Sequence, residues 1–158
     1  MPVPSWLVDE MLGRLARYLR FVGCDTVYVR GTTDDQLLER ARDEHRVLLT
    51  RDRELSRRGP NVFLVGSPVL REQWQAIRAA WPELPVEPSF DRCTRCNGRL
   101  ALTTPADRKE AGETLPPSVR RGDVPLYACR SCGHLYWEGS HTARVRAQLL
   151  AWAREPGP

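Results

Sequence analysis

Four of the five cysteines in this 158-residue chain form two pairs, Cys93 with Cys96 and Cys129 with Cys132, each with two residues between its members. Two Cys-x-x-Cys loops can bring four thiolates to a tetrahedral zinc ion at about 2.3 Å per sulfur. Four thiolates leave no coordination position open, so the zinc expected here is structural. The pairs stand 32 residues apart, with Pro105, Pro116 and Pro117 pointing to a long loop between them. Gly98 and Gly133 fall just after the pairs, where a chain turning back under a metal needs positive φ and amides free to bond sulfur. Cys24 has no partner and reads as an inert small residue. His45 and His134 lack partners at ligand spacing, and Ser140 with His141 reads as a helix start with Ser140 as N-cap.

The second set of candidate residues is acidic. Asp9 follows a short apolar run at residues 5–8, Asp34 and Asp35 open a helical pattern after a β-rich run at 26–29, and Asp52 follows a third run at 47–50. In an open parallel sheet, residues just past the strands line the ligand crevice, so these acids are expected to converge at one sheet edge. Like charges brought together require a cation. A carboxylate-only site suits Mg or Mn, with Asp9 and Asp52 as its ligands, and such an ion supports phosphodiester hydrolysis by activating water and neutralising the phosphate. Each acid also has a structural reading: Asp34 and Asp35 in a helix's first turn, Asp9 and Asp52 as helix caps. Arg14, Arg17 and Arg20 recur three apart on one helical stripe, and Arg51 and Arg53 flank Asp52; they are the candidate contacts to an RNA backbone, or else a solvated face.

These residues need a scaffold. Leu12, Leu15, Leu19 and Val22 recur at helical spacing until Gly23, giving a helix over 11–22 after the first strand. Thr33 and Gln36 have capping-box spacing ahead of Leu37, Leu38 and Ala41. Residues 62–65 form a fourth strand, followed by a helix carrying Leu70, Trp74 and Ile77. Short apolar strands alternating with helices predict an α/β fold, an open parallel sheet with helices on both faces. Pro82, Pro85 and Pro88 mark a linker, which divides the chain into a domain at 1–90, a small zinc ribbon at 91–140, and a terminal helix and tail at 141–158. The ribbon stretch has too few aliphatic residues for a core without a metal staple. Tyr127, Tyr136 and Trp137 beside Arg99, Arg120, Arg121 and Arg130 read either as a surface for single-stranded RNA or as the ribbon's small core. In the terminal helix, residues 143–153, the apolar positions are Leu149, Leu150 and Trp152.

Composition sets outer limits. At 41% hydrophobic and 28% charged, the chain is neither disordered nor fibrous. Residues 1–90 balance 13 Arg against 13 acids, whereas residues 91–158 hold 11 Arg and Lys against 7 acids. The excess is compatible with an RNA partner without demanding one. No apolar run reaches membrane-spanning length and the first residues lack a secretory pattern, so the expected location is the cytoplasm, with no membrane partner.

Two stretches, Leu7-Val8-Asp9-Glu10-Met11-Leu12-Gly13-Arg14-Leu15-Ala16-Arg17-Tyr18-Leu19-Arg20 and Leu48-Leu49-Thr50-Arg51-Asp52-Arg53-Glu54-Leu55, with Gly23-Cys24-Asp25 between them, resemble a known family. It is the family of PIN-like ribonuclease domains named for the C-terminal domain of the mut-seven exonuclease, which carries a C-terminal zinc ribbon. The resemblance implies a PIN-like α/β fold and a metal-dependent ribonuclease, with acids binding Mg or Mn for RNA cleavage. By it Asp9 and Asp52 match the family's strand-end acids, Asp34 or Asp35 its acid after the second strand, and either Glu39 or no residue fills the place of the helix Glu of a fuller site. The competing reading is a non-catalytic RNA-binding or ribosome-associated module. A phosphoacceptor domain is disfavoured because the sole lysine, Lys109, lies in the ribbon.

Overall fold

The computed structural model describes residues 2–155. Its first layer is a four-stranded, wholly parallel sheet, β1 (Trp6–Val8), β2 (Thr26–Tyr28), β3 (Val47–Thr50) and β4 (Val62–Leu64), in the order β2-β1-β3-β4. The expected first helix is split. A 3-10 turn at Glu10–Leu12 precedes α1 (Gly13–Phe21), and Gly23, at φ +88°, ends it by returning its amide to the Arg20 carbonyl. The helices α2 (Asp34–Asp43), α3 (Arg53–Ser56) and α4 (Leu70–Ala80) complete this layer. The Thr33–Gln36 capping box forms as its spacing predicts.

Alternation along the strands decides which helices lie where. Trp6, Val8 and Leu49 face a core built with Leu12, Leu15 and Leu19, Trp74 and Ile77; Leu7 and Leu48 point to the other face, against Leu37, Ala41 and Leu55. The sheet is thus covered on both sides.

The second sheet is antiparallel, β5 (Leu100–Leu102), β6 (Leu126–Cys129) and β7 (Leu135–Trp137), in that order. The interval between the cysteine pairs is more ordered than the long loop its prolines suggest. Pro105 and Pro117 sit in the first turns of α5 (Pro105–Ala111) and α6 (Pro117–Arg121), where a missing N–H costs nothing. Leu115, Val119 and Leu126 form a small core there, with Leu135 and Trp137 packed against it. The terminal helix α7 (Ser140–Arg154) begins earlier than its apolar pattern implies, with Gly139 rather than Ser140 at the N-cap. It docks on the first layer: Val145 and Leu149 enter the core beside α4, Trp152 stacks on Tyr18 at 5.6 Å, and the Tyr18 hydroxyl donates to Gln148. Among the described residues, no helix is long and apolar enough to cross a membrane.

Candidate functional site

Strand order locates the crevice. From β1 the chain crosses to β2 on one side and later returns to β3 on the other, so the order reverses between the adjacent strands β1 and β3. Asp9 and Asp52 stand just beyond those two strands, and the Asp9 amide still bonds the Leu49 carbonyl. A residue the sequence analysis did not single out joins them. Thr50, fully buried at the end of β3, donates its hydroxyl to Asp9 Oδ2 at 2.8 Å and accepts the Asp52 amide at 3.0 Å. The only sequence signal was a hydroxyl in an otherwise aliphatic strand.

Both carboxylates also cap. Asp9 Oδ1 accepts the Glu10 amide at 2.7 Å, and Asp52 Oδ1 accepts the amides of Glu54 and Leu55 that open α3. The structural reading of both acids, as caps, is therefore what the contacts form. Each cap fixes the carboxylate's direction, and Asp52, exposed, makes its cap through one oxygen and leaves Oδ2 for a ligand. Glu10, beside Asp9, reaches across to the Gly31 amide at 3.2 Å, which ties the end of β2 to that of β1.

The expected convergence of all the acids is not what the chain builds. Asp34 and Asp35 lie in the first turn of α2, where both pair with Arg58 beyond α3. Glu39 is exposed on α2. Among the described residues, no three acids bring their oxygens within 4.8 Å of one another; the cysteines alone form such a group. Arg58, at the surface, lies beside Asp34 and Asp35 where the sequence analysis expected a cation.

The arginine stripe also divides. Arg14 and Arg17 are exposed, and no ion pair among the described residues uses either. Arg20 is buried, 5% exposed, and its guanidinium donates to the carbonyls of Thr26, Thr94 and Arg95. It fastens α1 to the first cysteine loop and is not an open phosphate contact. Burial lowers its pKa, against the opposing pull of the Cys93 and Cys96 sulfurs. Arg51 is partly buried and its Nε has no hydrogen-bond partner; Arg53 is exposed on α3.

The four cysteine sulfurs fit zinc. All lie within 4.8 Å of one another, with Cys93 and Cys132 at 3.7 Å and Cys96 and Cys129 at 3.5 Å. A tetrahedron with 2.3 Å bonds has edges of about 3.8 Å. The Gly98 amide points at the Cys96 sulfur, and those of Ser131 and Cys132 at the Cys129 sulfur. Gly133 has the expected positive φ, 73°, but in the first loop that conformation falls on Asn97, at 68°. Gly98 is required for a different reason: a Cβ there would lie 2.6 Å from the Ser131 hydroxyl and 2.8 Å from the Cys129 sulfur. Burial raises the Cys93 pKa, but the Tyr136 hydroxyl and the amides of Cys96 and Arg95 outweigh it and bring the thiol to about 7; burial pushes Cys96 up to about 12. A divalent ion bound there would hold all four as thiolates and remove that disparity. Burial likewise raises Cys24 to about 11, an inert thiol in the main core.

The first cysteine loop is joined to the parallel sheet through polar contacts. Asn97 accepts the Thr26 amide at 2.9 Å and donates to Asp25 at 2.7 Å, and Arg46 and Arg92 pair with that same Asp25. The Tyr136 hydroxyl lies 3.0 Å from the Cys93 sulfur and accepts the Thr94 amide at 3.2 Å, and Tyr127 stacks on Phe90 at 4.8 Å.

A protein-family model, that of the Mut7-C RNAse domain, matches residues 4–149, nearly the whole chain, and the chain belongs to this family. No curated protein and no solved structure matches it.

Proposed function

We propose that this Mut7-C family member is a metal-dependent ribonuclease whose centre is the Asp9–Thr50–Asp52 arrangement at the reversal of strand order. The observation that carries this reading is that the two acids follow adjacent central strands and that a buried hydroxyl, Thr50, bonds the Asp9 carboxylate and the Asp52 backbone amide together. The donor set fits a hard divalent ion: two carboxylates, oxygen only, with room for water and phosphate oxygens. Bound between Asp9 and Asp52, Mg or Mn would supply an activated water and neutralise charge growing on the phosphate. The chain's own residues have other tasks. Thr50 fixes the direction of Asp9, the α3 amides fix Asp52, and Arg51 and Arg53 bring positive charge to the RNA backbone beside it. Asp34 and Asp35 take part only if Arg58 gives way to the ion.

That pairing favours a second reading, an RNA-binding module without catalysis, in which Arg58 has replaced the cation. The test is cleavage of end-labelled single-stranded RNA by zinc-loaded protein with Mn, with Mg, and with neither, beside Asp9→Asn and Asp52→Asn. Metal-dependent cutting lost in both variants is expected. RNA binding with no cutting under any condition would transfer the conclusion to the second reading.

A further inference from the structure

A cleft of about 960 Å³ runs between α1 and the zinc ribbon, away from the Arg58 pairing. One end is formed by Gly13, Arg14 and Tyr28; the other by the first cysteine loop, β7 and the start of α7. The first end lies near the proposed centre, since the Tyr28 hydroxyl that lines it donates to the carbonyl of Glu10, the residue after Asp9.

Its lining has one sign of charge. Five arginines and two histidines face it and, among the described residues, no Asp or Glu does. Two of the arginines are already spent on the fold, Arg20 on three carbonyls and Arg92 on Asp25 and the Asn97 carbonyl. Arg14 and Arg17 are exposed and unused by any ion pair among the described residues, and Arg95 touches only the His134 ring through its side chain. Between these cations stand aromatic rings, Tyr28 and Phe21 on the sheet side, Tyr136 and Trp137 on the ribbon side. Gly139 leaves space beside Trp137, since a Cβ there would lie 3.2 Å from the indole nitrogen.

We propose that this cleft seats single-stranded RNA and leads it along α1 from the zinc ribbon to the Asp9 end of the sheet. Charge of one sign calls for a polyanion, and interleaved rings call for one that carries flat, unpaired bases, which a duplex does not offer. Arg14 and Arg17, one helical turn apart, contact phosphates; Trp137 stacks a base on the far wall. The ribbon is then half of a substrate channel as well as a structural staple. The identity of the polyanion as RNA rests on the ribonuclease reading; the position of the channel does not.

The experiment is fluorescence anisotropy with the full zinc-loaded chain in calcium, using a labelled, unstructured 12-nucleotide RNA and the matching 12-base-pair duplex over a range of salt. The single strand is expected to bind at least about 10-fold tighter than the duplex. The double substitution Arg14→Ala and Arg17→Ala should weaken it about 10-fold and make the log–log salt dependence shallower by about 1.4, the value for two phosphate contacts on a single strand. Trp137→Ala should also lose about 10-fold and Trp137→Phe much less; because Trp137 packs on the ribbon core, zinc content is measured for both. The arginine pair is free of the core, so its result stands whatever the tryptophan variants do. An unchanged affinity and salt slope in the arginine variant, or tighter binding of the duplex, overturns the proposal. If the wild type cuts RNA while the arginine variant binds normally, the channel fails and the ribonuclease stands. Binding through the channel without cutting by the wild type gives the reverse.

Discussion

Replacing Arg20 by Met keeps the aliphatic stem and removes the guanidinium. The side chain is 5% exposed and holds the Thr26 carbonyl at 2.8 Å, the Arg95 carbonyl at 3.1 Å and the Thr94 carbonyl at 3.2 Å. Charged donors contribute about 1.5–3 kcal/mol per hydrogen bond when buried, and an acceptor stranded without one costs about 1–3 kcal/mol. The Thr26 bond is buried and counts in full; the other two are part-buried, and water recovers much of each. The loss should come to about 3 kcal/mol. For a chain of this size that lowers the melting temperature by roughly 6–12 °C. The assay is thermal unfolding followed by circular dichroism with zinc saturating, using Arg14→Met on the exposed side of the same helix as control, expected within about 0.5 kcal/mol of wild type. Because two of the carbonyls belong to the first cysteine loop, Arg20→Met should also release zinc to a chelator faster. A melting temperature within about 1 °C of wild type with unchanged zinc release would refute the claim that Arg20 is a fastener.

Three further outcomes follow from the same contacts. Thr50→Val keeps shape but removes the hydroxyl between Asp9 and the Asp52 amide; it should cost about 1–2 kcal/mol in denaturant unfolding and reduce the cleavage rate more than RNA affinity, while Thr50→Ser restores both. The purified chain should hold one zinc by elemental analysis, and Gly98→Ala should weaken its retention at least 10-fold in chelator competition, because the added Cβ meets a liganding sulfur. Burial works to raise the Asp25 pKa, but the bonds from Asn97 and Arg46 prevail and hold it below the ordinary carboxylate value. Its contribution is therefore complete above about pH 4 and lost as pH falls through the lowered folded value. Asp25→Asn should be less stable than wild type at neutral pH, with the gap in melting temperature closing below about pH 4.

The sequence was readable where one short pattern decides one feature. Strand runs with continuous apolar character, the Thr33–Gln36 box and the paired cysteines each name a local structure, and each forms. The helices α5 and α6 were hidden because Pro105 and Pro117 mark a loop and a helix start equally well. The site was half legible for a different reason. Strand-end position brings Asp9 and Asp52 to one edge, but Asp34 and Asp35 pair with Arg58, far along the chain, and no local spacing reports such a pairing. Arg20 shows the same limit. Its period matches Arg14 and Arg17, yet it ends up buried because it lies one turn nearer to where the ribbon docks.

That last difference explains how the two halves of the molecule relate. In a parallel sheet the crossover helix runs back from the carboxyl edge to the amino edge, so the start of α1 lies near the acids and its end near the first residue of β2. The zinc loop is fixed at the latter place, through Arg20 at the end of α1 and through Asn97 to Thr26. From Arg14 to Arg20 is six residues of helix, about 9 Å of rise. The ribbon is thereby held one short helix away from the carboxylates, by contacts from the first cysteine loop. Loss of zinc should therefore disturb what reaches the acids without moving the acids themselves, since Asp9, Thr50 and Asp52 are held by the parallel sheet and the first turn of α3.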